Sequence, residues 1–115
     1  MDTIDLLKLF FPERTLDYFE ITHAENQGDD LMVIWLEERN ILPEGYNVEE
    51  YENKDFMPPK EIADFPIRGR AVKLYVSRRR WRHKKTGEIL KRDWKIEING
   101  GRITKEFGAF LKEIN

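Results

Sequence analysis

Alternating apolar and polar residues predict that much of this chain forms β-strands. In residues 19–23, Phe19 and Ile21 alternate with polar side chains, and residues 31–36 form an almost continuous apolar run. The intervening residues 25–30 are rich in Asn, Gly and Asp, which favour turns. The pattern therefore predicts a β-hairpin built from these two strands.

A second, longer hairpin is predicted from residues 72–82 and 88–98, on either side of a turn at residues 84–87. Gly87 suits the left-handed position that closes such a turn with a bulge. The register that follows pairs apolar residues on one face and opposite charges on the other. These pairs are Leu74 with Ile98, Val76 with Ile96, and Arg79 with Asp93.

The two ends of the chain have helical patterns. Residues 1–18 contain a dense apolar stretch that predicts a helical segment, and residues 104–115 place four apolar side chains on one helix face. Residues 40–60 are acidic and rich in Pro and Gly, which predicts a loop. The expected fold is a single α+β domain: a small antiparallel β meander over residues 19–98 with a long basic hairpin, flanked by an N-terminal and a C-terminal helix.

Charge is distributed very unevenly along the chain, although the net charge is only −2. Residues 68–95 contain twelve basic and two acidic residues, whereas residues 1–67 contain five basic and seventeen acidic ones. A basic segment with aromatic residues inside it is typical of a surface that binds polyanions.

The predicted register makes the inner face of the long hairpin apolar near its base and cationic near its tip. Because burying unpaired arginines costs several kcal/mol each, the tip is expected to project from the core as a ribbon. Arg78, Arg80, Arg82 and Arg92 would lie on one side of it, with Trp81 and Lys91 on the other. The candidate DNA-binding residues are Arg78, Arg79, Arg80, Trp81, Arg82, Lys84, Lys85, Lys91 and Arg92.

Four interpretations of this ribbon remain open. A two-stranded ribbon fits the major groove of DNA, arginine can bridge phosphates or a guanine edge, and Trp81 could stack or anchor. Alternatively, the ribbon packs on the acidic half of the same chain, with Glu49, Glu50, Glu52 and Asp55 as internal counterions. It could also bind a protein partner or be a plain solvated face.

Four stretches, spread over nearly the whole chain, resemble the amino-terminal region of bacterial insertion-sequence transposases. Residues 64–82 are Asp-Phe-Pro-Ile-Arg-Gly-Arg-Ala-Val-Lys-Leu-Tyr-Val-Ser-Arg-Arg-Arg-Trp-Arg, followed by a basic-aromatic strand at residues 91–94 and Arg-Ile-Thr at residues 102–104. The opening at residues 5–12, Asp-Leu-Leu-Lys-Leu-Phe-Phe-Pro, is similar to cysteine-free members of this group.

The resemblance implies binding to double-stranded DNA at the element ends, with catalysis by a separate carboxylate-bearing domain or chain. Many relatives have a zinc-ribbon head, but this sequence has no cysteine, so neither zinc nor any other cofactor is expected. We therefore expect a non-enzymatic amino-terminal fragment or a separately encoded first frame. A protein-interaction module that binds an acidic partner or the catalytic transposase chain is the alternative.

Composition argues against several other classes of protein. No apolar run approaches the length of a membrane span, and the acidic start differs from a signal peptide, so a cytoplasmic protein is expected.

Glu37 and Glu38 are adjacent in a strand and should point to opposite faces, which is the wrong arrangement for two ligands of one metal ion. We therefore expect both to be solvated acids. Trp35 and Trp94 are expected in the core, and His23 to be packed or hydrogen-bonded.

Overall fold

The computed structural model describes residues 7–11, 14–63, 69–93 and Ala109, and over these residues the chain is mostly β-structure. Within these described ranges, seven strands form two sheets. Their bounds are Phe19–Asn26 (β1), Leu31–Glu38 (β2), Tyr51–Phe56 (β3), Lys60–Ala63 (β4), Ala71–Ser77 (β5), Arg79–His83 (β6) and Ile89–Lys91 (β7). Before β1 come a 3-10 helix at Lys8–Phe10 and one turn of α-helix, α1, at Thr15–Tyr18; a second 3-10 helix at Val48–Glu50 precedes β3.

The first hairpin has the strands that the sequence pattern predicts. β1 and β2 pair antiparallel, with Phe19 opposite Glu38 and Asn26 opposite Met32. The turn contains Gly28 at a φ of +87°, a left-handed conformation that glycine adopts without steric cost. The prediction of a β1–β2 hairpin is therefore confirmed.

The first sheet is completed by a strand that arrives from much later in the chain. Its order is β1-β2-β5-β4, with β5 parallel to β2 and antiparallel to β4. Val72, Leu74 and Val76 of β5 are all buried, as expected for the alternation of a strand with one face on a core. Because β5 has a hydrogen-bonded neighbour on each edge, it has no edge left for another strand.

The core lies on one face of this sheet. Its buried side chains come from the segment before α1 and from four strands, and Phe19, Ile34, Leu36, Leu74 and Val76 are fully buried. The remaining members of the cluster are Leu7, Ile21, Ile62 and Val72, with Phe11, Leu16, Tyr18, Ala24 and Met32 packed against it. Burial of these apolar side chains is the main driving force for folding.

The second sheet has the order β3-β6-β7, with β6 antiparallel to both neighbours. Arg78 lies between β5 and β6, and its carbonyl accepts a hydrogen bond from the Met57 N–H at 2.7 Å. At this residue the chain leaves the first sheet and enters the second. The basic residues predicted for one long strand are thus divided between two sheets.

The predicted fold class, an α+β meander flanked by helices, is wrong. In the described part of residues 1–18 the chain forms one helical residue at Leu7, the 3-10 helix and the single turn α1, and Arg14, just before α1, has a left-handed φ of 73°. The parallel β2–β5 pair contradicts a meander, since parallel strands need a crossover connection. Residues 40–60, predicted as a loop, contain β3. The predicted helix at 104–115 lies outside the described residues except for Ala109, which is helical.

The register predicted for the long hairpin is also wrong. Arg80 pairs with Lys91, Trp81 with Leu90 and Arg82 with Ile89, whereas the prediction placed Arg80 opposite Arg92. A slip of one residue turns every side chain of the second strand to the other face. The predicted partners of Leu74 and Val76 lie outside the described residues, and both edges of β5 are occupied by β2 and β4.

We predict that Leu74→Ala lowers the free energy of unfolding by about 2–5 kcal/mol, because it leaves a cavity at the centre of the core. Urea denaturation followed by circular dichroism measures this change. The matched control is Ile89→Ala, a similar truncation at a residue that is 44% exposed, which should cost less than about 1 kcal/mol. Equal losses in the two variants would contradict the assignment of the core.

Candidate nucleic-acid interface

The β6–β7 hairpin presents its basic residues on a turn with many internal hydrogen bonds. The His83 N–H donates to the Glu88 carbonyl at 2.8 Å, and the Gly87 N–H donates to the His83 carbonyl at 2.9 Å. The Nδ1 atom of His83 accepts from the N–H groups of Lys85 and Thr86, both at 3.2 Å. Gly87 has a φ of +73°, the left-handed conformation predicted for it. These bonds explain the register, since they make residues 84–87 a four-residue loop.

The two faces of the second sheet have different surroundings. Arg80 and Arg82 lie on the outer face with Lys91, which pairs with Arg80 across the ladder. Trp81 points inward and is only 1% exposed. Its Nε1 atom donates to the Asn40 Oδ1 atom at 2.8 Å. The tryptophan that was a candidate for base stacking is therefore part of the buried junction between the sheets.

Two candidate DNA-binding arginines also hold the sheets together. Arg92 is 8% exposed; its Nε atom lies 3.3 Å from Glu38 Oε2, its Nη2 atom donates to the Ile41 carbonyl, and its guanidinium lies over the Tyr18 ring. The Arg79 N–H donates to Glu38 Oε1 at 3.0 Å, and the Arg79 Nε atom donates to the Glu38 carbonyl at 3.1 Å. These contacts place both side chains at the inner face.

Glu38 is the acidic residue on which this junction depends. It is 1% exposed, and burial raises the pKa of Glu38 above its ordinary value, while the Arg79 N–H and the Arg92 charge offset part of that effect. The prediction that Glu38 is a solvated acid is therefore wrong. Its position in β2 held the signal, because Glu38 continues the alternation of the buried Ile34 and Leu36 on the core side.

The outer arginines are paired with acids of β3. Arg80 donates through Nε and Nη2 to the two carboxylate oxygens of Asp55, both at 2.7 Å. Arg82 donates through Nε to Glu52 Oε1 at 2.9 Å. Hydrogen bonds from Arg80 lower the pKa of Asp55 and, in turn, raise the pKa of Arg80. All four side chains remain between 33% and 47% exposed, so water and salt screen these pairs.

The acidic strand thus supplies internal counterions, one of the interpretations that the sequence left open. Glu50 adds a third contact, with its Oε2 atom 3.7 Å from His83 Nε2. Asn53, which the sequence analysis did not identify, accepts from Arg79 Nη1 at 2.6 Å. Glu49 forms no ion pair among the described residues. The acids follow one another along β3 in the order of their basic partners along β6, but the spacings differ. A bulge between Asn53 and Asp55 brings Glu52 and Asp55, three residues apart, opposite Arg82 and Arg80, two residues apart.

Four of the eight basic candidate residues form neither an ion pair nor a side-chain hydrogen bond within the part of the chain that the structure describes. They are Arg78, Lys84, Lys85 and Lys91. The three lysines are exposed, at the turn and on the outer face. Arg78 differs from them, because its Nε atom is buried without a hydrogen-bond partner. The structure therefore separates the candidates into cations available to a ligand, cations paired with β3, and side chains of the junction.

Within the described part of the chain, no group of three or more His, Cys, Asp or Glu side chains is placed to hold a metal ion. Among the same residues, no helix has both the length and the apolar character needed to cross a membrane. Comparison with protein-family models, with curated proteins and with solved structures finds no match to this chain. The site must therefore be interpreted from its own geometry and charge.

We predict that Glu38→Ala lowers the free energy of unfolding by about 3–5 kcal/mol, because it leaves the buried guanidinium of Arg92 without its carboxylate. Glu37→Ala is the matched control, since it removes the same side chain from the adjacent position of β2. Chemical denaturation of the two variants measures the difference. Comparable losses would show that the junction does not depend on the Glu38 carboxylate.

A pH dependence follows from the raised pKa of Glu38. The folded protein keeps the Glu38 proton to a higher pH than the unfolded chain, so this group stabilises the fold less as pH rises from about 4.5 through the raised pKa. We expect the unfolding free energy of the wild type, minus that of Glu38→Gln, to fall across this window and then become constant. Denaturation at a series of pH values tests this, and a difference that rises with pH would contradict it.

Proposed function

We propose that this chain is a non-catalytic, DNA-binding amino-terminal module of a transposase that acts in the cytoplasm. The observation that carries the proposal is the group of exposed lysines on the β6–β7 hairpin, Lys84, Lys85 and Lys91, which have no carboxylate partner among the described residues. Lysine side chains of this kind bind phosphates and release counterions from DNA. The resemblance of residues 64–82 to transposase amino-terminal regions supports double-stranded DNA at element ends as the ligand.

The geometry favours contacts to the DNA backbone rather than stacking on bases. Trp81 is buried, so the hairpin offers no tryptophan face to a base. Lys84 and Lys85 lie at the turn, and Lys91 lies on the outer face beside Arg80. Cations at these positions can follow a phosphate backbone while the hairpin tip approaches a groove. Contacts to phosphates set the position and orientation of a protein on DNA.

A second function has its own supporting observation. The outer arginines Arg80 and Arg82 already donate hydrogen bonds to carboxylates of an antiparallel acidic strand, β3. The same type of recognition would suit an acidic segment of another protein, such as the catalytic transposase chain. In that case, the chain would be a protein-interaction module, and the tip lysines would serve to attract an acidic partner.

We predict that Lys84→Gln/Lys85→Gln weakens binding to duplex DNA and lowers the slope of log K against log salt by about 0.9 for each lost phosphate contact. Fluorescence anisotropy with a labelled duplex, titrated between about 50 and 200 mM NaCl, measures both quantities. The control is Lys60→Gln/Lys73→Gln, which removes the same charge from the first sheet. A duplex with the terminal-repeat sequence of an insertion element, compared with a scrambled duplex, tests recognition of element ends.

An unchanged salt slope in Lys84→Gln/Lys85→Gln would overturn the assignment of the hairpin tip. A wild-type chain that does not bind duplex at low salt, but retains the catalytic chain in a salt-sensitive pull-down, would favour the protein-interaction function instead.

A further inference from the structure

The acidic strand β3 lies alongside the arginines of β6 in matched order. Its carboxylates at Asp55 and Glu52 contact Arg80 and Arg82 respectively, and Glu50 approaches His83. The ladder between β3 and β6 fixes this correspondence, since Asp55 pairs with Arg80 and Glu52 with Arg82. The cations of the outer face are therefore matched with acids by backbone pairing.

A carboxylate held by the guanidinium fork occupies the donors that a phosphate would use. Arg80 commits Nε and Nη2 to the two oxygens of Asp55, and a phosphate binds arginine through the same kind of parallel pair of hydrogen bonds. A phosphate cannot take these two donors until the Asp55 carboxylate has left them. Arg82 commits its Nε atom to Glu52 in a similar way.

The pairs are also accessible enough to exchange. β3 is an edge strand of the second sheet. The four paired side chains keep between 33% and 47% of their full exposure to solvent. Exposed ion pairs of this kind are screened by solvent and contribute little to stability. The carboxylates can therefore rotate away from the arginines without separating β3 from β6.

We propose that β3 is a built-in competitor that keeps Arg80 and Arg82 from phosphate until a polyanion displaces the carboxylates of Asp55 and Glu52. This inference rests on the proposed function, because it concerns the same hairpin, and it adds a regulation of that site. Two consequences follow. The lysines make the first contacts, and the arginines join only when the local density of phosphate is high enough to compete with two tethered acids.

The test is a double-mutant cycle between the acids and the arginines. Glu52→Gln/Asp55→Asn removes both charges but keeps amide oxygens that can accept the cross-strand hydrogen bonds. We expect it to bind duplex DNA roughly tenfold more tightly than the wild type at low salt, with a salt slope steeper by about 0.9 per added phosphate contact. In a chain that already carries Arg80→Gln/Arg82→Gln, the same acid substitutions should increase the affinity for duplex DNA no more than the removal of two acidic charges far from the hairpin does.

Asp29→Asn/Asp30→Asn provides that remote comparison. It removes the same charge from the β1–β2 turn. Asp30 lies eight residues before Glu38, at the other end of β2, which corresponds to roughly 25 Å along the strand. An equal gain from Asp29→Asn/Asp30→Asn, or a gain from the β3 substitutions that persists without the arginines, would overturn the inference. The single variant Glu52→Gln repeats the measurement if the double variant does not show the wild-type circular dichroism spectrum.

A heparin column separates this inference from the proposed function. The cycle is repeated with the NaCl concentration at elution as the readout, which depends only on binding to a polyanion. Coupling between the β3 acids and the arginines on heparin, without duplex binding by any variant, would support the competitor and overturn the DNA-binding function. Duplex binding without coupling between the acids and the arginines in either assay would support the DNA-binding function and overturn the competitor.

Discussion

The buried carboxylate of Glu38 is the interaction on which the arrangement of the two sheets depends. It ends β2 of the first sheet and accepts from the backbone of Arg79, where β6 of the second sheet begins. It also contacts Arg92, the residue that directly follows the end of β7 at Lys91. A carboxylate with 1% exposure is costly to bury unless its oxygens are bonded, and here both oxygens have donors from the other sheet. The cost of burial therefore selects one orientation of the sheets, in which these donors meet Glu38.

Local patterns in the sequence predict the elements whose partners are close in the chain. Alternation at Phe19 and Ile21, an apolar run and a turn segment are sufficient for the β1–β2 hairpin. The same alternation identifies Val72, Leu74 and Val76 as one face of a strand. It carries no information about which neighbour that strand pairs with, and β5 pairs with β2 and β4 rather than with the next strand in the chain.

In the candidate site, too, the sequence predicts local features but not the contacts between residues that are distant in the chain. Gly87 was placed correctly in the turn, but hydrogen bonds to the His83 side chain set a register one residue away from the one that charge pairing favours. That slip moves Lys91 to the outer face and leaves Arg92 with Glu38. The basic character of the hairpin could be predicted from composition. Some of its cations are exposed, some are paired with β3 and some lie in the junction between the sheets. This division depends on contacts with Glu38, Asn40 and Asp55, which are distant in the sequence.

The parallel pairing of β2 with β5 also constrains how the chain reaches its native state. The residues between these strands include β3, which belongs to the second sheet, and β6 follows β5 after a single residue. The two sheets are therefore interleaved along the chain, and neither can be completed from one continuous segment. Contacts over such sequence separations require the entropy of a long loop to be lost before they form, which slows folding. A ribosome must release the chain beyond β5 before β2 gains its second neighbour, so the first hairpin exposes an unpaired edge throughout synthesis of the acidic segment.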